Sequence, residues 1–252
     1  MPPRSQMPQM SLALPPLTKG VKWLGIATIA VSVLVPLLKN YAGIGLEAFV
    51  ALVPDLLRHR GLIWTPFTYL FLEREPLSLV FSLLGLWFIG SMLEQRWGTR
   101  RFVVFYFATS VFAALATTLL SFVVPAAGAF PYAGNWPALE AMVAATAVQL
   151  PDVQFFMYLF FVRAKWMLPI SAGMILLYVI MGGPVPYLPV IFGLGAGVVL
   201  AGGIRTPKQL ALRARVWLID RRMRKSNLRV VRGPEDDLFG GRGKSGSDKY
   251  LH

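Results

Sequence analysis

Between Lys22 and Lys39 the chain runs from Trp23 to Leu38 without a charge, with Pro36 near the end of the run. A helix needs about 20 mostly apolar residues to cross a bilayer core, and this stretch is the first to qualify. Pro76–Leu93 is the second. Phe102–Leu139 carries no charge at all and is too long for one helix; Pro125, Gly128, Pro131 and Gly134 break it. The breaks predict a third span over about 102–124 and a fourth from Asn135 to Leu150. Trp166–Ile204 is over-long in the same way, and Gly182, Gly183, Pro184 and Pro186 divide it into spans five and six. The apolar stretch Val153–Val162 is too short to cross and is expected to lie at the membrane interface, leading into span five.

Six spans make an all-α, polytopic membrane bundle over residues 21–205. Residues 1–20 contain Pro2, Pro3, Pro8, Pro15 and Pro16 and read as a disordered arm. In 206–226, Leu210, Ala214, Trp217, Leu218 and Met223 are interleaved with Lys208, Arg213, Arg215, Arg221, Arg222, Arg224 and Lys225. That pattern predicts a basic amphipathic helix lying on anionic lipid. Residues 227–252 are rich in Gly, Ser and charge, and read as a disordered tail.

Composition agrees with a membrane protein. The chain is 56% hydrophobic and 15% charged, with a mean hydropathy of +0.58, whereas soluble domains carry about 25% charged residues. The net charge of +13 would suggest nucleic acid in a soluble chain. Here the positions of the charges point elsewhere. With the N-terminus cytoplasmic, 21 Lys and Arg fall on the cytoplasmic side and four (Lys39, Arg58, Arg60 and Arg74) on the other. By the positive-inside rule both termini are cytoplasmic, and no nucleic-acid partner is expected. The simplest location is a bacterial inner (plasma) membrane. The absence of cysteine excludes disulfides and thiolate catalysis. The two histidines are His59 and His252, so no metal or other cofactor is implied.

One block has a recognisable spacing: Trp64-Thr65-Pro66 in the first loop, Ser78 and Ser82 in span two, then Leu93-Glu94, Arg96, Gly98, Arg101-Phe102 and Tyr106. It resembles the rhomboid family of intramembrane serine proteases over roughly residues 21–205. That family has a Trp-Arg pair in a half-submerged first loop, and a Leu-Glu…Gly…Arg-Phe…Tyr signature opening span three. The resemblance implies a rhomboid-like six-helix bundle. In physical terms, Glu94 and the arginines at 96, 100 and 101 can pair at the cytoplasmic edge, and Gly98 permits the tight turn between antiparallel spans.

The resemblance also implies a chemistry that these residues lack. A serine nucleophile needs an adjacent base. The family places the serine in Gly-x-Ser-Gly at the start of span four and the histidine on span six. Here span four opens Gly134-Asn135-Trp136-Pro137, and the histidine position falls on Val190. The oxyanion pair, one helical turn apart on span two, falls on Ser78 and Ser82. The loop histidine before it falls on Glu73, and the arginine of the Trp-Arg pair on Thr65. The expected chain is therefore a rhomboid-like protein without the Ser-His dyad, a pseudoprotease that binds or regulates transmembrane helices of client proteins without cutting them.

Several residues remain to be assigned. Gly193 and Gly197 form a Gly-x-x-x-Gly face suited to helix packing. Asn135 is placed to cap span four. Trp136 either fills the old cavity or belongs to an interfacial aromatic belt. Glu140 is the one acidic residue inside a span. It is either functional or a partly hydrated side chain near the outer interface, bonded to Ser78 or Ser82. Two rival functions use it: a serine-type endopeptidase pairing Ser78 or Ser82 with Glu140, and a transporter with Glu140 in the ion path.

Overall fold

The computed structural model describes residues 15–157 and 160–203. The predicted basic helix at 206–226, the tail at 227–252 and most of the N-terminal arm lie outside the described residues.

Helix α1 (Lys19–Ala42) ends at Gly43, whose φ of 68° stops it in a left-handed turn. The loop that follows holds three short helices, α2 (Glu47–Val50), α3 (Pro54–Arg60) and α4 (Thr65–Thr68). Helix α5 (Pro76–Gly85) continues through a π-helical turn (Leu86–Gly90) into α6 (Ser91–Trp97), one unbroken helix. Gly98, at φ 81° and ψ 155°, then reverses the chain into α7 (Thr99–Leu120) in a conformation open chiefly to glycine. A short α8 (Pro125–Ala129) precedes α9 (Trp136–Gln149). Helices α10 (Ala164–Gly182) and α11 (Leu188–Gly203) complete the bundle.

Among the described residues, five helical segments are long and apolar enough to cross a membrane: Lys19–Ala42, Pro76–Trp97, Thr99–Leu120, Ala164–Gly182 and Val185–Gly202. The predicted fourth span, Asn135 to Leu150, corresponds to α9 to within one residue at each end, and it is short for a spanning helix. Its 14 residues reach about 21 Å, against a hydrocarbon core of about 30 Å. The deficit is at its start, where Gly134 and Asn135 are non-helical and buried. Irregular backbone is tolerated at membrane depth only where protein covers it.

One further expectation gains its form and another is corrected. The stretch expected at the interface, Val153–Val162, holds an antiparallel hairpin, β1 (Gln154–Met157) and β2 (Phe160–Arg163), with Gln154 opposite Arg163. Its aromatic and β-branched composition suits strands better than a helix. The end of the expected arm is built into the bundle: the Trp87 indole donates to Pro15 O at 3.0 Å. Glu94 then ties three helices together. Its carboxylate accepts from Thr18 Oγ1 at 2.5 Å, from the Gly20 and Val21 amides at 2.8 and 2.9 Å, and from Thr99 Oγ1 at 2.6 Å. It thereby caps the N-terminus of α1, where free amides and the helix dipole favour an anion. The anticipated pairing with arginines is absent: Arg96, Arg100 and Arg101 are exposed, and Glu94 makes no salt bridge among the described residues.

Helix α9 is the centre of the bundle, packed by α7, α10 and α11. Its alanines at 138, 141, 144 and 145 are fully buried, which lets neighbours come close. Against it lie Gly193 and Gly197 of α11. A Cβ added at 193 would stand 2.7 Å from Pro137 Cα, and one at 197 would stand 2.5 Å from Ala141 Cα. The two contacts step along both chains by four residues in the same direction, so α9 and α11 run parallel with their backbones nearly touching. Polar residues on α7 are satisfied locally: Thr109, Ser110, Thr117 and Thr118 each donate to a carbonyl four residues back.

This packing predicts a sharp contrast along one helix. Gly193→Ala or Gly197→Ala should destabilise the protein in detergent by about 1–3 kcal/mol, as over-packing does. Gly195, exposed and with open space around it, should accept alanine without loss. Equal thermal midpoints for the 195 and 197 variants would refute the close contact.

Candidate functional site

The segment before α9 is clamped by the first loop. Leu52 and Tyr132 exchange backbone hydrogen bonds of 2.9 and 2.8 Å, and the Gly134 amide donates to Tyr69 O at 2.9 Å. The Tyr69 hydroxyl donates to Ser110 O on α7 at 2.9 Å. Arg74 bridges Glu47 Oε1 (3.0 Å) and Pro131 O (2.9 Å). Residues 131–135 are thus held by Leu52, Tyr69 and Arg74 without forming regular structure. Gly134, at φ 105°, makes the turn that delivers Asn135 and Trp136.

At the centre of this clamp is Glu73, only 6% exposed. Its backbone amide donates to Ser32 Oγ of α1 at 2.9 Å, and that hydroxyl in turn donates to Phe71 O at 3.0 Å. Its carboxylate accepts the Asn135 amide at 3.0 Å and the Ser78 hydroxyl at 2.7 Å. The Trp136 indole N–H donates to Ser78 Oγ at 3.0 Å. A single chain of hydrogen bonds therefore links Trp136, Ser78, Glu73 and the start of α9. Burial pushes the Glu73 carboxyl above the ordinary carboxylate range, opposed by the hydrogen bonds from Ser78 and Asn135.

The sequence-derived positions fall around this chain unequally. Trp136 and Ser78 are joined directly. Ser82 is fully buried and turns its hydroxyl to Leu79 O at 3.1 Å. Asn135 occupies the N-cap position but its side chain makes no cap hydrogen bond; both amide atoms are buried and unpartnered. The capping role is instead transferred to Glu73, which takes the Asn135 amide. Tyr106, fully buried beside Asn135, likewise has an unpartnered hydroxyl. Val190 is half-buried on the face of α11 that carries Gly193 and Gly197. One turn before Gly193, it is level with the segment that leads into Trp136.

Glu140 bonds neither Ser78 nor Ser82. Its carboxyl accepts the Ser171 hydroxyl of α10. Of the other signature positions, Trp64 is half-exposed, its indole donating to Phe49 O at 3.0 Å, while Glu94 and Gly98 form the knot and turn described above. His59 is exposed on α3, with Nδ1 2.8 Å from Asp55 O. No group of His, Cys, Asp and Glu among the described residues could hold a metal ion.

Sequence reasoning treated Glu73 as one substituted position and missed that it organises the site. Glu73-Arg74-Glu75 reads as a solvated charge run, and the one available signal was its distance of five residues from Ser78. Gln149 was also missed. It accepts the Trp97 indole at 2.8 Å and donates to Ala201 O at 3.2 Å, tying α9 to α6 and α11.

A family model described as the Rhomboid domain matches residues 60–206, more than half of the chain. No curated protein matches it. The matched segment contains Glu73, Ser78, Trp136, Glu140 and Val190.

The raised Glu73 carboxyl sets a pH dependence. Between its ordinary value of 4.5 and its raised value, the folded protein holds a proton that the unfolded chain has released. The stability due to this group is present below 4.5 and is lost as pH rises through that window. Thermal midpoints of wild type and Glu73→Gln measured in detergent from about pH 4 to 8 should therefore diverge, wild type losing ground as pH rises. A difference that stays constant with pH would show that Glu73 does not titrate there.

Proposed function

The chain belongs to the rhomboid family, and from that premise we propose that it is a member that does not cleave: it binds transmembrane helices of other proteins and regulates them. The observation that supports this reading is the hydrogen-bond chain through Trp136, Ser78 and Glu73. The nucleophile position carries an indole and the base position a valine. The serine nearest to them is occupied twice, giving its proton to Glu73 and accepting from Trp136. A nucleophile and base must be free to exchange a proton with a reacting group, and this network is closed on itself. The first loop, α5 and the start of α9 retain the clamp that keeps the site rigid, while the side chains in it serve packing.

A second reading, proteolysis by an unusual pair, draws on the 2.7 Å contact between Ser78 and Glu73. A carboxylate with a raised pKa can act as a base. Against this, the Trp136 indole covers the same serine oxygen. The pairing of Ser78 or Ser82 with Glu140 finds no support, because Glu140 is engaged by α10. Transport through Glu140 lacks a second embedded charge along a path. Beyond the bundle, the basic segment after span six is proposed to rest on anionic lipid.

The test is a cleavage assay in proteoliposomes with model transmembrane substrates, run beside an active rhomboid. No product above a Trp136→Ala/Glu140→Gln double variant is expected. Cleavage that disappears in Ser78→Ala or Glu73→Gln would overturn the proposal and assign the proteolytic pair.

A further inference from the structure

Helix α9 is buried almost throughout, and its opening to the outside of the bundle follows one line. From Trp136 to Ala147, the residues that are not buried are Trp136, Glu140 and Val143. Spacings of four and three place all three on a single helical face. Along one border of this stripe runs α10, which offers α9 the row Ala164, Met167, Ser171 and Ile175 and leaves most of its remaining side chains exposed. The Ser171 hydroxyl is the one polar group that meets Glu140 among the described hydrogen bonds.

The depth of Glu140 follows from its partner. Ser171 lies about 16 Å from the Gly182 end of α10 and about 10 Å from the Ala164 end, at 1.5 Å per residue. Although Glu140 is one turn into its own helix, the recessed start of α9 carries it to the middle of a spanning helix. Of the two readings of Glu140, this height favours a functional carboxyl over a hydrated one near the outer interface. A carboxyl at that depth is costly, and such groups pair with a charge or face a polar cavity. The salt bridges among the described residues all involve Glu47 or Asp55, in the first loop. The described Lys and Arg residues lie at helix ends or in loops.

We propose that the stripe Trp136–Glu140–Val143 is a docking face for a transmembrane helix of another protein that carries a lysine or arginine near mid-membrane depth, with Glu140 as its counter-ion. This deepens the reading of the chain as a helix-binding protein and rests on it. Charge complementarity selects the occupant: a lone hydroxyl leaves a mid-membrane carboxylate without a cation, and a helix bearing one satisfies both buried charges together. Trp136, fixed through its indole N–H by Ser78, presents an aromatic face one turn away from Glu140, on which a long basic side chain can lie. A second copy of this chain has no described basic residue at the required depth, so self-association does not fill the site.

The experiment uses the full-length protein in proteoliposomes, with a photo-crosslinking amino acid at Val143. The probes are synthetic transmembrane helices that differ only in a central Lys or Leu. The Lys helix should crosslink about tenfold more strongly than the Leu helix, the scale of a buried interhelical polar contact. Glu140→Gln should abolish that preference while leaving the Leu helix unchanged. Because Glu140→Gln could disturb α10, a charge swap provides an independent check: Glu140→Lys should transfer the preference to a helix with a central Glu. Equal capture of the Lys and Leu helices would overturn the basic-helix proposal and leave helix binding intact. Capture of neither helix would overturn both. Crosslinks of the chain to itself in place of the probes would assign the face to self-association and likewise overturn the proposal.

Discussion

The bundle depends on two buried carboxylates that are stabilised without a cation. Where water is excluded, an anion must be surrounded by donors or given up. Glu94 meets that requirement as an anion, and Glu73, whose carboxyl burial pushes up, meets it with fewer donors and a hold on its proton; both use backbone amides and hydroxyls from chain segments far apart in sequence. Glu94 draws together the start of α1, the end of α6 and the start of α7. Glu73 draws together α1, α5 and the start of α9. Each removes free amides from a helix N-terminus while satisfying itself, so one set of hydrogen bonds meets two needs. Hydrogen bonds to charged groups are the stronger kind, and their geometry fixes which ends of which helices meet.

Between these knots, α9 is positioned by contacts of a different kind. Its sides are defined by small residues, the alanines that face its neighbours and the glycines of α11 that touch its backbone. Lipid provides no hydrophobic drive between helices, so close approach and dispersion must hold them. Its far end is fixed by Gln149, which answers the Trp97 indole and the Ala201 carbonyl with the two ends of one amide. A helix too short to span is thereby held at both ends, and its recessed start is sealed by the clamp from the first loop. The recess in turn decides the depth of Glu140.

The spans were legible in the sequence because uncharged runs bounded by lysine and arginine are a direct record of the bilayer. Gly193 and Gly197 were legible as packing residues for the same reason, since their spacing encodes one helical face. The bounds of α9 were legible to within a residue at each end, but the burial of its start was not, because Gly134 and Asn135 look the same in a loop above the membrane as in a buried turn. Nor was the hairpin at 154–163, where a short apolar run leaves helix and strand undecided. The partner of Glu140 was not legible either: it meets Ser171 of α10 and neither Ser78 nor Ser82. Asn135 was assigned to a cap by residue type, yet the cap is supplied by a glutamate 62 positions away. Long-range polar partners leave no periodic trace in a chain.

The three membrane-embedded or near-membrane glutamates show how environment separates identical side chains. Glu94 has four donors and functions as a structural anion. Glu73 has two donors at its carboxylate and burial that works against them, which leaves it poised to titrate. Glu140 has one hydroxyl and is only partly buried. Fewer internal donors mean more unspent demand for a partner, so the order Glu94, Glu73, Glu140 is also an order of increasing readiness to engage something outside the chain. On the reading proposed above, in which Trp136 and Val190 stand at the catalytic positions, Glu140 takes no part in chemistry. The same group, half-buried on the one partly open stripe of α9 between Trp136 and Ala147, is suited to recognition.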